Sequence, residues 1–224
     1  AFASSLRYLT LERYALPGEA PALPIDIYRI ITSGVPLKEV VGCLISNEIV
    51  DSFPVHRFQI HQGALKEIYV SLDEHGRLTE ALGQPSTPLL AQRLDDLGLT
   101  LLEGFRGEVN LRVGPWMNEV SAALERGFVV TIDYGHEAGE LYSHKRAEGT
   151  LQTHYRHTRG GSPYRHIGRQ DITAHVNFLS IDSEGSSLGL QSLGLTTQSR
   201  FLKTLGFDAM LERLREKNLS QRQR

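Results

Sequence analysis

No uninterrupted apolar run in the sequence approaches the roughly 20 residues that a membrane-crossing helix needs, so no transmembrane helix is expected. Cysteine is nearly absent. The single Cys43 among 224 residues cannot form an intramolecular disulfide, which fits a reducing compartment. Flanked by Val41, Leu44 and Ile45, it reads as a buried, inert thiol. The expected location is the cytoplasm, with the mitochondrial matrix as the alternative. A charge excess is also missing: 24 Lys and Arg stand against 26 Asp and Glu, a formal net charge of −2. This removes any global attraction to nucleic acid, and the basic residues are spread out except in the tail SQRQR. There is no G-x-S-x-G elbow for a nucleophilic serine.

Glycine-rich phosphate or cofactor turns are missing too. The glycine doublet Gly160–Gly161, in HTRGGSPYRH, is expected to follow no strand, open no helix and form a mobile surface loop. Nine histidines are present, and His144, His154, His157 and His166 fall within one stretch. Arg156, Arg159 and Arg165 in that stretch would repel a cation, so no metal site is expected. No repeat or low-complexity segment is visible.

The composition is that of a globular chain long enough for one α/β domain with a modest insertion, spanning 1–224. The opening AFASSLRYLTLERY reads as a helix tail feeding a strand from Leu6 to Leu11, which suggests a fragment with an upstream part missing. That strand ends at Glu12. A second apolar run, VVGCLIS, reads as a strand buried on both faces of a parallel sheet. It leads into SNEIVDSFP. The region around 56–82, with turn signals at Gly63 and at His75–Gly76, reads as an insertion of antiparallel hairpins, and Thr87 to Leu102 as helical or mixed. GPWMNEVSAALERG then predicts a helix with Trp116, Val120, Ala123 and Leu124 on one face and a glycine stop. FVVTIDYG predicts another buried strand ending in Asp133. DITAHVNFLSI predicts a helix capped by Asp171 with Ile172, Val176 and Leu179 on one face. SLGLQSLGL predicts a strand, TTQSRFLKTLGF a capped helix buried through Phe201, Leu202 and Leu205, and AMLERLREKN an amphipathic helix.

Three acidic positions therefore stand at strand ends: Glu12, the Asn47–Glu48–Asp51 group, and Asp133. Each alone could be an N-cap or loop acid serving backbone amides. Repeated at one sheet edge, they point to a ligand crevice, because ligands of open α/β sheets bind at the carboxyl ends of the strands. A carboxylate such as Glu12 can accept two hydrogen bonds from a ribose diol.

The ordered motifs SNEIVDSFPVHRF, TIDYGHEAGELYSHKRAEGTLQTHYRH, GRQDITAHVNF and GLTTQSRFLKTLG resemble the MidA family of S-adenosylmethionine-dependent methyltransferases, and the resemblance covers essentially the whole chain. It implies a class I methyltransferase fold: an α/β Rossmann-like sheet, here N-terminally truncated, whose first strand and glycine-rich loop would lie upstream of Ala1. It implies S-adenosylmethionine as cofactor, with Glu12 at the ribose and Asn47 beside it. Asn47, Glu48 and Asp51 match the post-strand element, Asp133, Tyr134 and Gly135 the DYG element, and Gln170, Asp171 and Thr173 the QDIT element.

On this reading Asn47, Glu48 and Asp51 form the catalytic group. Glu48, Asp133, Tyr134, Gln170 and Asp171 would contact the substrate, a protein presenting an acceptor arginine. The family includes a mitochondrial arginine methyltransferase acting in respiratory complex I assembly. A homodimer is compatible with the sequence. The rival readings are a non-catalytic assembly or scaffold protein on the same fold, and a different N-methyltransferase.

Overall fold

The computed structural model describes residues 7–9, 30–32, 34–156 and 158–216. Its elements in chain order are β1 (Arg7–Leu9), β2 (Ile30–Thr32), β3 (Val40–Asn47), β4 (His56–His61), β5 (Ala64–Leu72), β6 (Leu78–Gly83), α1 (Pro88–Asp95) and β7 (Arg106–Val109). They continue as α2 (Val113–Ala123), β8 (Leu124–Ile132), β9 (Gly135–His136), α3 (Ala138–Leu141), β10 (Gln152–Tyr155), β11 (Thr158–Arg159), β12 (Asp171–Thr173) and β13 (Val176–Asn177). Three helices follow: α4 (Phe178–Ser187), α5 (Gln198–Thr204) and α6 (Phe207–Glu216). The described residues up to Leu190 cluster as one compact unit and those from Gln191 onward as another.

The architecture is mixed α/β. β3 and β8 pair in parallel from Val40↔Leu124 to Asn47↔Ile132, so both strands deliver their carboxyl ends to the same edge. A parallel pair requires a long crossover, and the connection here contains an antiparallel sheet of order β6-β5-β4-β7 as well as α1 and α2. The β4–β5 hairpin turns through Gln62 and Gly63, both at positive φ (54° and 69°) as a two-residue type I′ turn requires. Glu103 accepts both turn amides, at 2.8 and 2.9 Å. α1 starts where Thr87 accepts from the Leu89 amide ahead of Pro88, a residue suited to the first helical turn.

Two apolar clusters hold the larger unit. Phe58, Leu90, Leu94, Phe105, Leu141 and Tyr142 pack between the antiparallel sheet and α1 and α3. Val50, Phe53, Val113, Trp116, Met117, Val120 and Val176 pack below the parallel pair, with Phe53 edge-on to Trp116 at 6.0 Å between ring centroids. Burying one such large side chain contributes about 1.5–3 kcal/mol.

Several sequence expectations are corrected. Leu44 and Val129 pack on the second cluster, but Val41, Ile45 and Phe128 on the opposite side are 57%, 65% and 59% exposed. Among the described residues the parallel pair is thus covered on one face, so β3 and β8 are not the doubly buried strands expected, and Cys43 is exposed rather than buried. Helix α2 stops at Ala123, and Leu124 begins β8. Gly127 is not its stop. It lies inside β8 at φ +145°, where it meets Gly42 of β3 so closely that an added Cβ would stand 1.7 Å from the Gly42 carbonyl oxygen.

Asp171 caps no helix. Asp171–Thr173 is strand β12, antiparallel to β10, and α4 begins later with Asn177 accepting from the Leu179 amide. The spacing of Ile172, Val176 and Leu179 suits one helical face, but pairing with β10 and with β9 claims the backbone first. SLGLQSLGL forms no strand, since its start completes α4 and residues 190–197 have no regular structure. In the smaller unit Thr197 caps α5 as expected, accepting from the Arg200 amide, yet Phe201, Leu202 and Leu205 are exposed by 37%, 39% and 69%. The Gly160–Gly161 doublet does follow a strand, the short β11, and the Gly160 amide donates to the Thr153 carbonyl at 2.6 Å.

Candidate functional site

The carboxyl ends of β3 and β8 bring Asn47, Glu48, Asp51, Asp133 and Tyr134 together. The ladder ends as the Glu48 amide donates to the Ile132 carbonyl at 2.9 Å, and Glu48 itself turns into the left-handed region at φ +49°. That conformation costs a residue with a Cβ roughly 1–2 kcal/mol. It also reverses the chain at once, so that Val50–Ser52 form a single turn of 3-10 helix directly behind the strand. Just inside the edge, the Ser46 hydroxyl donates to Thr131 Oγ1 across the strands at 3.2 Å.

Asp133 holds that turn. Its Oδ2 accepts from the amides of Val50 at 2.9 Å and Asp51 at 3.4 Å, and its Oδ1 from the Tyr134 amide at 2.8 Å. Burial raises the Asp133 carboxyl above its ordinary range, while the amides of Tyr134, Val50, Asp51 and Ile49 oppose the rise. A carboxylate against free helical N–H groups is a favourable pairing, so the amide-serving role weighed for every strand-end acid is the one seen at Asp133.

Asp51 is different. It is 6% exposed, and its carboxyl is raised from 3.8 to about 6, first by burial, then by Asp133 and Glu48, with only the Ser52 amide acting to lower it. Glu48 is exposed, and its negative charge beside the Tyr134 hydroxyl is the main cause that raises the phenol's pKa. Asn47, also exposed, stands at the end of β3. The edge therefore presents a carboxamide, one solvated carboxylate, one buried carboxyl that titrates near neutral pH, and a phenol.

The later motif reaches the same place through its backbone. β12 packs against the Val50–Ser52 turn, and the Ala174 amide donates to the Asp51 carbonyl at 2.9 Å. Asp171 is exposed and paired in register with His154. Gln170 is engaged by the preceding loop, its Nε2 donating to the carbonyls of Ser162 and Pro163 at 3.3 and 2.9 Å. Glu12 lies outside the described residues. Among those residues no group of three His, Cys, Asp or Glu side chains is arranged to hold a metal.

Two contributors escaped the sequence reading. Asn110 donates from Nδ2 to the Val50 carbonyl at 3.1 Å and accepts the Arg112 amide at 2.9 Å, bracing the turn from below. An Asn directly after a strand and three residues before a helix is the available signal. His136 on β9 and His175, the residue before β13, stand with ring centroids 5.3 Å apart. Burial lowers the His175 pKa, and His136, Arg146 and Arg159 lower it further. Only the parallel pairing of those two-residue strands brings the rings together.

Carboxylates at the carboxyl edge of a parallel pair in an α/β fold mark the class of the nucleotide-cofactor enzymes with open sheets. The chain belongs to the family described as "Putative S-adenosyl-L-methionine-dependent methyltransferase", whose profile matches residues 20–196. The mitochondrial protein arginine methyltransferase NDUFAF7 of Homo sapiens is 26% identical over 229 residues, covering 96% of this chain and 49% of that protein. The Bos taurus counterpart is 28% identical, covering 96% and 48%. A COG1565 superfamily member from Burkholderia thailandensis, solved bound to S-adenosyl-homocysteine, matches with a TM-score of 0.73 at 35% identity, covering 79% of this chain and 45% of that one. The chain spans about half the length of the curated relatives it matches. Membership of this family makes S-adenosylmethionine the cofactor class.

Proposed function

We propose that this chain supplies the acceptor side of an S-adenosylmethionine-dependent methyltransferase that acts on arginine in a protein, in the assembly of a respiratory complex. The observation that carries the reading is the convergence of Glu48, Asp51 and Asp133 behind two parallel strands, with Asp51 buried and titrating near neutral pH. The similarity to NDUFAF7, named a protein arginine methyltransferase, supports arginine as the acceptor.

The residues suit the cofactor's charge. An edge lined by carboxylates complements a ligand carrying a sulfonium and an ammonium, and Asn47 would hold it from the end of β3. When bound, the cofactor supplies an electrophilic methyl group.

The protein's own task is alignment and proton removal. A guanidinium arrives as a delocalised cation with its protons tightly held. The exposed Glu48 carboxylate grips it and localises the charge, with the Tyr134 hydroxyl beside that carboxylate. Methylation releases one proton from the acceptor nitrogen. Asp51, raised to about 6, is a stronger base than an ordinary aspartate and takes that proton. Asp133 keeps the turn carrying Asp51 in place, and its link to the substrate runs through that turn. Gln170 and Asp171 set the course of the strand beside it.

The test is Glu48→Gln in the full-length protein. Methylation of an arginine-containing protein substrate should fall steeply while calorimetry shows cofactor affinity retained; undiminished methylation would refute the role of Glu48. The cytoplasm remains the proposed location.

A further inference from the structure

From Leu151 to Gln170 the chain carries no aspartate or glutamate, although acids outnumber Lys and Arg in the molecule as a whole. The same stretch carries Arg156, Arg159, Arg165 and Arg169, all exposed, and among the described residues none of them is in a salt bridge. An unneutralised run of arginines on a mildly acidic protein is a local device.

The segment is built. The β10–β11 hairpin begins it, and the Gly160 amide closes back on the Thr153 carbonyl. Tyr155 stacks on His166, with centroids 4.1 Å apart and planes within 4°, and the Arg156 guanidinium lies 5.4 Å from the Tyr155 ring centroid. The Tyr164 hydroxyl is held by Glu80 and Arg57 of the antiparallel sheet, at 3.1 Å each. Gln170 ties the far end to Ser162 and Pro163. The segment then runs through β12 to Ala174, whose amide bonds Asp51. Arg169 and Ala174 are five positions apart in sequence, a reach of at most about 17 Å along an extended chain.

We propose that this basic loop is a docking surface for an acidic segment of the protein substrate, placed a few residues along the chain from the arginine delivered to Glu48 and Asp51. The proposal rests on the methyltransferase reading above and names the substrate class: arginines flanked by carboxylates. Both halves of the surface then find their complement in one ligand, a cation at the acid edge and acids along the arginines. A nucleic acid would not satisfy both, because its phosphates would be carried onto Glu48, Asp51 and Asp133. Arginine suits the role, since its planar fork accepts carboxylates in bidentate pairs.

The test uses the full-length protein and two fluorescent peptides, each with one arginine, followed by a run of either glutamates or glutamines. In anisotropy titrations the glutamate peptide should bind about tenfold more tightly, as several exposed ion pairs of modest strength would give. Added salt should erase that advantage. So should the combined variant Arg156→Gln, Arg159→Gln, Arg165→Gln, Arg169→Gln, while calorimetry shows cofactor affinity unchanged. The pair Arg165→Gln, Arg169→Gln should lose part of the advantage.

Equal affinities for the two peptides in the unaltered protein would overturn the proposal. So would a preference that survives in the combined variant, or displacement of the peptide by a single-stranded RNA that binds more tightly. A preserved glutamate preference without methyl transfer would support the docking surface and count against the methylation reading. Methylation of both peptides with equal KM would do the reverse.

Discussion

Asp133 and Val50, 83 positions apart in sequence, are joined by a 2.9 Å hydrogen bond from the Val50 amide to the Asp133 carboxylate. The bond closes the parallel pair onto the turn that carries Asp51, and the same carboxylate also accepts the Asp51 and Tyr134 amides. Replacing Asp133 with Ala strands several half-buried donors. The expected loss is about 2–3 kcal/mol in urea unfolding, against a smaller loss for Asp133→Asn, which keeps one acceptor oxygen. Equal losses for the two variants would show that the amides find other partners.

The Gly42 and Gly127 pair gives a second test with its own control. Both residues sit at positive φ, 153° and 145°, but an added Cβ at Gly42 meets nothing within 4 Å, whereas one at Gly127 would collide with the Gly42 carbonyl. Gly42→Ala should cost about 1 kcal/mol or somewhat more, the cost of the positive φ alone. Gly127→Ala should cost roughly 3 kcal/mol or more, because two strands must separate to admit the methyl. Similar melting temperatures for the two would refute the close approach.

Asp51 makes stability depend on pH in a defined direction. Its folded value, about 6, exceeds the ordinary 3.8, so the folded state holds the proton more tightly. The stabilisation this gives is full below the ordinary value and is lost as pH rises through about 6. Asp51→Asn should therefore be more stable than the parent at pH 7.5 by on the order of 2 kcal/mol, with the gap narrowing toward pH 4. Chemical denaturation at both pH values measures it, and a gap that widens on acidification would contradict the assignment.

Tyr164 fastens the basic loop to the sheet through Arg57 and Glu80. Tyr164→Phe should cost about 1 kcal/mol and expose the following Arg165 and Arg169 to trypsin sooner than in the parent. Unchanged cleavage kinetics would mean that the loop is held elsewhere.

Much of the site was legible in the chain. An apolar run followed by Asn47, Glu48 and Asp51, and another followed by Asp133, placed both acids at strand ends, and the pairing of β3 with β8 puts those ends on one edge. The glycine turns at Gly63 and Gly76 marked hairpins because positive φ is cheap only there. Periodicity misled at Ile172, Val176 and Leu179, where helical spacing was overruled by partners distant in sequence. It also misled at Cys43, where an apolar run was taken for burial on both faces.

The sequence by itself determined the family, the two apolar strands that end in acids and the chemical types available at the edge, since these follow from residue identity and local pattern. Tertiary structure decided what each acid does. Glu48 and Tyr134 meet, Asp133 is absorbed by backbone amides, and Asp51 is buried beside two other carboxylates and raised toward neutrality. The reason is physical: the fold brings Asp133 against Val50 and Asp51, more than eighty positions away, and the burial, neighbouring charge and free amides created there distinguish carboxylates that are alike in the sequence.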